Sequence, residues 1–166
     1  MGRETDAVDQ VVADWRAARP DLDPGPLELV GRVLVLAQHL ERGVEAALKE
    51  YDLSLGQFDI LATLRRQPAG DGMTPTALLK SVVLSSGGMT SRLDKLAERG
   101  LIARRPDPTD RRGVIVALTA KGRKLIDAAT DTRFREAARS LPPATAAERK
   151  QLAGLLRAWL KAVEVG

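Results

Sequence analysis

The sequence contains no cysteine and a single histidine, His39. The absence of cysteine excludes disulfides, iron–sulfur clusters, thiolate zinc sites and a cysteine redox switch. One histidine excludes a histidine-rich metal site and argues against a Ser-His-Asp triad. The sequence also lacks a carboxylate pattern typical of an acid–base pair and a glycine-rich phosphate loop. These absences predict a protein that is not an enzyme and that needs no metal or cofactor.

Long apolar runs are missing as well. No stretch approaches the roughly 20 apolar residues of a membrane-spanning helix, and residues 1–6 contain no apolar signal core. We therefore expect a cytoplasmic protein that makes no membrane contact. Its 166 residues, 44% of them hydrophobic, are sufficient for one compact domain with its own core.

Positive charge is in excess and is concentrated in one region. Residues 85–124 contain ten lysines and arginines against four acidic residues, a local net charge of +6, whereas the whole chain carries +4. Such a concentration is typical of proteins that bind the phosphate backbone of nucleic acids. A solvated charged face is the alternative that composition alone leaves open.

Apolar periodicity and capping signals predict seven helices and one β-hairpin. The long second helix, from about 27 to 51, exceeds the usual length in globular proteins and suggests a spine or a subunit interface. The hairpin pairs strands 101–105 and 114–118 around a polar tip. The predicted helix starts, marked by capping residues or by a preceding proline, are Asp6, Leu27, Ser54, Thr74, Ser85, Thr119 and Thr145.

The order of these elements predicts a mainly α fold of the winged helix-turn-helix class, with a helical dimerisation region and a two-stranded β wing. The major groove of B-DNA admits one α-helix whose first turn approaches the base edges. The fifth predicted helix, here called the recognition helix, begins with small hydroxylated residues suited to that approach. The hairpin would lie beside the groove, where an arginine can enter the narrower minor groove.

Four segments of the sequence resemble the MarR family of bacterial regulators. They are residues 85–96, Gly100-Leu101-Ile102, 107–113 and 118–122, and the Asp-Arg-Arg-Gly wing tip is a specific signal. The resemblance covers about residues 27–163. It implies an obligate homodimer that binds a pseudo-palindromic operator in double-stranded DNA and is released by a small ligand.

The same resemblance implies a division of the single domain, 1–166. An extension occupies residues 1–24, dimerisation helices occupy 27–51 and 119–166, and the winged-helix region occupies 54–118. On the wing, Arg112 is expected to enter the minor groove and Asp110 to orient it; an exposed turn with incidental charges is the alternative. The implied DNA contacts are Ser86, Gly88, Thr90, Ser91, Lys95, Asp110, Arg111 and Arg112.

The N-terminal extension, with its tryptophan and its Arg-Pro-Asp-Leu-Asp run, resembles the urate-responsive subgroup of that family. The ligand-binding residues that this resemblance implies are Trp15, Asp59, Arg92 and Arg104. A planar purine anion suits a guanidinium fork and an aromatic wall, and its charge would repel the nearby carboxylate. Another aromatic acid is an open alternative, and so are structural roles in which Trp15 anchors its helix and Asp59 pairs with Arg92.

The predicted function is a ligand-responsive regulator of transcription that acts as a repressor, the commoner mode of the family. Its expected partners are operator DNA, a second copy of the chain, and a small aromatic or purine anion, with urate as the candidate. The alternative is a constitutive architectural DNA-binding protein without a ligand. Ligand-induced stabilisation of the native state would separate the two.

Overall fold

The computed structural model describes residues 5–68, 72–82, 88–107 and 113–164. The predicted mainly α class and the winged helix-turn-helix order are confirmed within these residues. A 3₁₀ turn, Lys49–Tyr51, follows the second helix. The elements are α1 (Ala7–Ala18), α2 (Gly25–Leu48), α3 (Leu55–Arg66), α4 (Pro75–Ser81), α5 (Met89–Glu98), β1 (Ile102–Pro106), β2 (Val114–Leu118), α6 (Ala120–Arg139) and α7 (Ala146–Glu164).

Side-chain caps begin most helices where the sequence places them. Asp6 accepts hydrogen bonds from the backbone N–H groups of Val8 and Asp9, and Ser54 forms a reciprocal capping box with Gln57. Caps of this kind stabilise a helix by about 1 kcal/mol each. Hydroxyl caps that accept from the third residue of the helix also occur at Thr74, Thr119 and Thr145.

One predicted helix start is wrong. The recognition helix α5 begins at Met89 with Gly88 as its N-cap, and not at the Ser85-Ser86 pair. Gly88 has a φ of 69° and a ψ of 23°, a left-handed conformation that glycine adopts without a steric penalty. The backbone freedom of this glycine therefore sets the helix start, and no side-chain hydrogen bond caps it.

The core lies between α3, α5, α6, the hairpin and the C-terminal end of α2. In the antiparallel hairpin, Ile102 pairs with Leu118 and Pro106 with Val114. Met73 and Val116 exchange two backbone hydrogen bonds of 2.9 and 2.8 Å beside this pair of strands. The recognition helix packs against α3 and against the first wing strand. The side chains with almost no exposed surface include Leu48, Ile60, Leu61, Leu78, Leu93, Leu96, Leu101, Val116 and Ile126.

Two long helices leave apolar faces uncovered. α7 contains no buried residue, and α2 buries only Val44 and Leu48. Uncovered apolar faces of this extent are uncommon on a protein that functions as a monomer. No helix of the described segments is long and apolar enough to span a membrane. The exposed apolar side chains of these helices are Leu27, Leu29, Val30, Leu34, Val35, Leu36, Leu40, Leu152, Leu155, Leu156, Trp159, Leu160 and Val163.

Candidate nucleic-acid interface and ligand site

The recognition helix α5 has one buried and one exposed side. Met89, Leu93 and Leu96 recur at helical spacing and are buried in the core. The opposite side is polar, so it is available to a partner. The predicted DNA contacts that the structure describes, all of them exposed, are Gly88, Thr90, Ser91 and Lys95.

The remaining predicted DNA contacts, Ser86, Asp110, Arg111 and Arg112, lie outside the described residues. The residues that flank the tip of the wing, Asp107 and Gly113, lie within the described part of the chain. There the backbone N–H of Asp107 donates a 3.0 Å hydrogen bond to the carbonyl of Gly113. This bond continues the hairpin past the end of its strands and closes the base of the loop.

An ion pair joins the recognition helix to the wing. Arg104 of β1 donates a 2.6 Å hydrogen bond to the carboxylate of Asp94 on α5. Both side chains are almost half exposed, so the pair contributes at most about 1 kcal/mol to stability. Arg104 is one of the four predicted ligand-binding residues. In the structure its guanidinium is already bound to the carboxylate of Asp94.

Asp59 and Arg92, two further predicted ligand residues, lie on α3 and α5, two helices that contact each other. Asp59 is buried on α3, with 7% of its surface exposed. A Cβ built on Gly56, one turn earlier on the same helix, would lie 2.8 Å from the guanidinium carbon of Arg92. Because residues three apart share a helix face, the Arg92 side chain lies over the face of α3 that carries Asp59.

Trp15, the fourth predicted ligand residue, is 48% exposed on α1. This helix packs against α2 through Val8, whose side chain is buried. The Cγ1 of Val8 is so close to Gly31 of α2 that a Cβ on this glycine would lie 3.1 Å from it. Arg32 of α2 binds the carboxylates of both Asp6 and Asp9. These contacts hold α1 on α2, and Trp15 lies on this helix with about half of its surface exposed.

The end of the recognition helix is bound to the end of α2. The guanidinium of Arg99 donates from Nη2 to the carbonyl of Tyr51 at 2.9 Å and from Nη1 to the carbonyl of Asp52. The carbonyl of Arg99 accepts a 2.7 Å hydrogen bond from Nζ of Lys121. In the sequence, Arg99 is one of the ten lysines and arginines of residues 85–124. Its position just before the helix-ending Gly100 was the one available signal.

A groove with a volume of about 400 Å³ lies between α3 and α6. Two phenylalanine rings and three arginine side chains line it, and two of these arginines already bind a carboxylate, Arg65 that of Asp127 and Arg133 that of Glu136. The volume falls within the range of about 300–1,000 Å³ that is usual for small-molecule sites. Sequence reasoning missed this groove because its two walls are far apart in the chain. The lining residues are Phe58, Ala62, Arg65, Arg66, Thr130, Arg133, Phe134 and Ala137.

Metal coordination has no support in the described ranges. They contain no group of three or more histidine, aspartate or glutamate side chains placed to hold a metal ion. The described part of α5 and the first wing strand present hydroxyl and cationic side chains, which can form hydrogen bonds and attract phosphate.

Comparisons with known proteins agree with this geometry. Residues 53–114 match the sequence model of the MarR family. The HTH-type transcriptional regulator PecS of Dickeya dadantii is 34% identical over 149 residues, which cover 90% of this chain and 90% of PecS.

Two solved structures share the fold. The structure of Bordetella bronchiseptica BpsR, whose DNA binding is regulated by 6-hydroxynicotinic acid, superposes with a TM-score of 0.70 and 26% identity. That match covers 80% of this chain and 93% of BpsR. A mutant of E. coli MarR in complex with operator DNA gives a TM-score of 0.69 and 26% identity, covering 88% of this chain and 97% of MarR.

Proposed function

The chain belongs to the MarR family of transcriptional regulators, and we propose that it acts as a homodimeric, ligand-released repressor. It is a DNA-binding regulator and not an enzyme. The observation that carries the proposal is the exposed polar side of α5, which is held by the core beneath it and by the wing strand beside it. A helix presented in this way fits the major groove of B-DNA.

A second copy of the chain is the partner that the uncovered apolar faces of α2 and α7 favour. Burying them would couple folding to association, so the unfolding midpoint should rise with protein concentration. Two-fold symmetry would then place the two recognition helices about one turn of DNA apart, roughly 34 Å. A well-folded monomer at micromolar concentration, measured by light scattering, would contradict the dimer and its pseudo-palindromic operator.

The effector that we favour is a urate-like anion bound near Arg92 and Arg104, close to Asp59 and with Trp15 as its aromatic wall. Arg92 lies on the recognition helix, and Arg104 is bonded to Asp94 of that helix. An anion that recruits these guanidinium groups would break the Arg104–Asp94 pair, and its charge would be repelled by Asp59. Binding would therefore displace α5, and a coupling of about 1–3 kcal/mol lowers DNA affinity about 5- to 150-fold.

A second candidate effector is an aromatic acid bound in the groove between α3 and α6. The specific observation in its favour is the combination of two aromatic rings with three guanidinium groups in that groove. The relative BpsR, whose DNA binding responds to 6-hydroxynicotinic acid, supports the same chemical class.

The two effector sites are distinguished by titrating urate and 6-hydroxynicotinate against matched variants. Trp15→Ala should weaken urate binding and leave operator affinity intact, whereas Asp59→Asn should bind urate but release DNA less. Ala137→Leu, which fills the exposed groove without adding volume to the core, should block only the aromatic acid. Thermal shift and tryptophan quenching report binding. If neither compound binds at millimolar concentration, both effector assignments are wrong and the constitutive architectural role replaces them.

A further inference from the structure

We propose that Arg99 is a positioning residue that ties the recognition helix to the corner where the long helix α2 ends. Through this tie, the geometry of the dimerisation helices would set the orientation of α5 on DNA. The inference rests on the proposed binding of a homodimer to an operator. Arg99 acts in it through α5 and contacts no part of the DNA.

The guanidinium of Arg99 spans the corner with two hydrogen bonds. It donates to two consecutive backbone carbonyls, those of Tyr51 and Asp52, and 28% of its side chain is exposed. The carboxylate of Asp52 lies 3.7 Å away and is 93% exposed, so it adds little. A planar guanidinium can serve two neighbouring acceptors at once, whereas a lysine ammonium offers a point charge without this fork.

The corner has an unusual backbone conformation. Asp52 is the one described non-glycine residue with a positive φ, 51° with a ψ of 47°. Carbonyls at the end of a helix have no partner within that helix. The turn presents two such carbonyls towards α5, and Arg99 satisfies both. The left-handed conformation at Asp52 is therefore stabilised by a side chain of the recognition helix.

The opposite side of the corner is bound to α6. The hydroxyl of Tyr51 donates a 3.1 Å hydrogen bond to the carbonyl of Ala128, and it lies 2.7 Å from the hydroxyl oxygen of Thr132. Thr132 of α6 is itself buried, and its hydroxyl donates a 3.3 Å hydrogen bond to the carboxylate of Glu50 in the turn that follows α2. One corner therefore connects α2, α6 and the recognition helix through directional hydrogen bonds.

The test measures DNA affinity as a function of salt concentration, using the full-length protein and a duplex that the wild type enriches from a random-sequence library. Arg99→Lys keeps the charge and removes the fork, and Arg99→Ala removes both. Both variants should bind the duplex about tenfold or more weakly, with a log–log salt slope like that of the wild type. Loss of a direct phosphate contact would instead lower the slope by about 0.9. Arg19→Ala, a change at an exposed arginine just after α1 and outside the dimerisation helices and the winged-helix region, is the matched control and should have no effect.

A second measurement reports the position of α5 without DNA. Because the chain has no cysteine, a spin label on Ser91→Cys is unique in each subunit. The distance distribution between the two labels of a dimer should broaden in Arg99→Lys. If Arg99→Ala does not fold, Tyr51→Phe, which releases the corner from α6, provides an independent variant with the same expected broadening.

Unchanged affinity together with an unchanged distance distribution would overturn the proposal. A lowered salt slope with an unchanged distribution would also overturn it, because Arg99 would then be a phosphate contact. If the wild type enriches no duplex, the proposed function fails, and the distance measurement still tests the corner.

Discussion

Replacing Gly122 by alanine tests how closely the start of α6 is packed on Leu101, in the short connection between the recognition helix and β1. A Cβ built on Gly122 would lie 1.9 Å from the carbonyl oxygen of Leu101, a backbone atom with no freedom to turn away. Real Cβ contacts are not shorter than 3.0 Å, so the first turn of α6 must move by more than an ångström. That movement breaks the 3.1 Å hydrogen bond from the Thr119 N–H to the same carbonyl.

One favourable and two unfavourable terms decide the sign of the change in stability. Alanine in place of glycine favours the helix by about 1 kcal/mol. The lost backbone hydrogen bond costs about 0.5–1.5 kcal/mol, and inserting a carbon into a packed site costs about 1–3 kcal/mol. We therefore expect Gly122→Ala to lower the free energy of unfolding by about 0.5–3.5 kcal/mol.

Gly154→Ala provides the matched control. No atom lies within 4 Å of a Cβ built on Gly154, and at 100° per residue it lies about 200° from Leu152, opposite the apolar face of α7. It should raise the free energy of unfolding by up to about 1 kcal/mol. Urea unfolding followed by circular dichroism, at one protein concentration, measures both variants. A Gly122→Ala protein as stable as the wild type would refute the reasoning.

Three further predictions concern charge. Arg112→Ala should weaken operator binding in fluorescence anisotropy while the thermal midpoint stays unchanged; equal affinity at physiological salt would exclude docking of this arginine in the minor groove. Asp94→Asn removes the carboxylate that competes for Arg104, so tryptophan quenching should show severalfold tighter urate binding, and weaker binding would contradict the competition. Hydrogen bonds from the backbone N–H and then the hydroxyl of Thr145 lower the pKa of Glu148. Because the pKa of Glu148 is lower in the folded state, this stabilisation is present above the ordinary carboxyl pKa and is lost as the pH falls through the folded value. Glu148→Gln should therefore flatten the pH dependence of the thermal unfolding midpoint between about pH 6 and pH 3.

The helix starts could be predicted because their chemistry is local. The capping boxes of Ser54 with Gln57 and of Thr145 with Glu148 lie within four residues of sequence, and both are present in the structure. The start of α5 was wrong for a related reason. Serine is the stronger capping signal in a sequence, whereas the helix begins after Gly88, whose left-handed backbone no composition rule identifies.

The connections between elements could not be predicted. Arg99 and Tyr51 are 48 residues apart, and the Arg104–Asp94 pair joins a strand to a helix. Apolar periodicity specifies which face of an element is buried, but it does not specify which cation meets which acceptor on another element. The groove between α3 and α6 was missed for the same reason, because its arginines look like ordinary surface charges in the sequence.

Tyr51 is the single tyrosine of the chain, and it occupies the corner that joins three helices. A fluorinated tyrosine incorporated at this position would give one ¹⁹F resonance per subunit, with no competing signal from elsewhere in the chain. Its chemical shift would report the hydrogen bond between its hydroxyl and α6 directly. DNA and candidate effectors could then be titrated against an unmutated protein, and two resonances in slow exchange would give the populations of two corner arrangements.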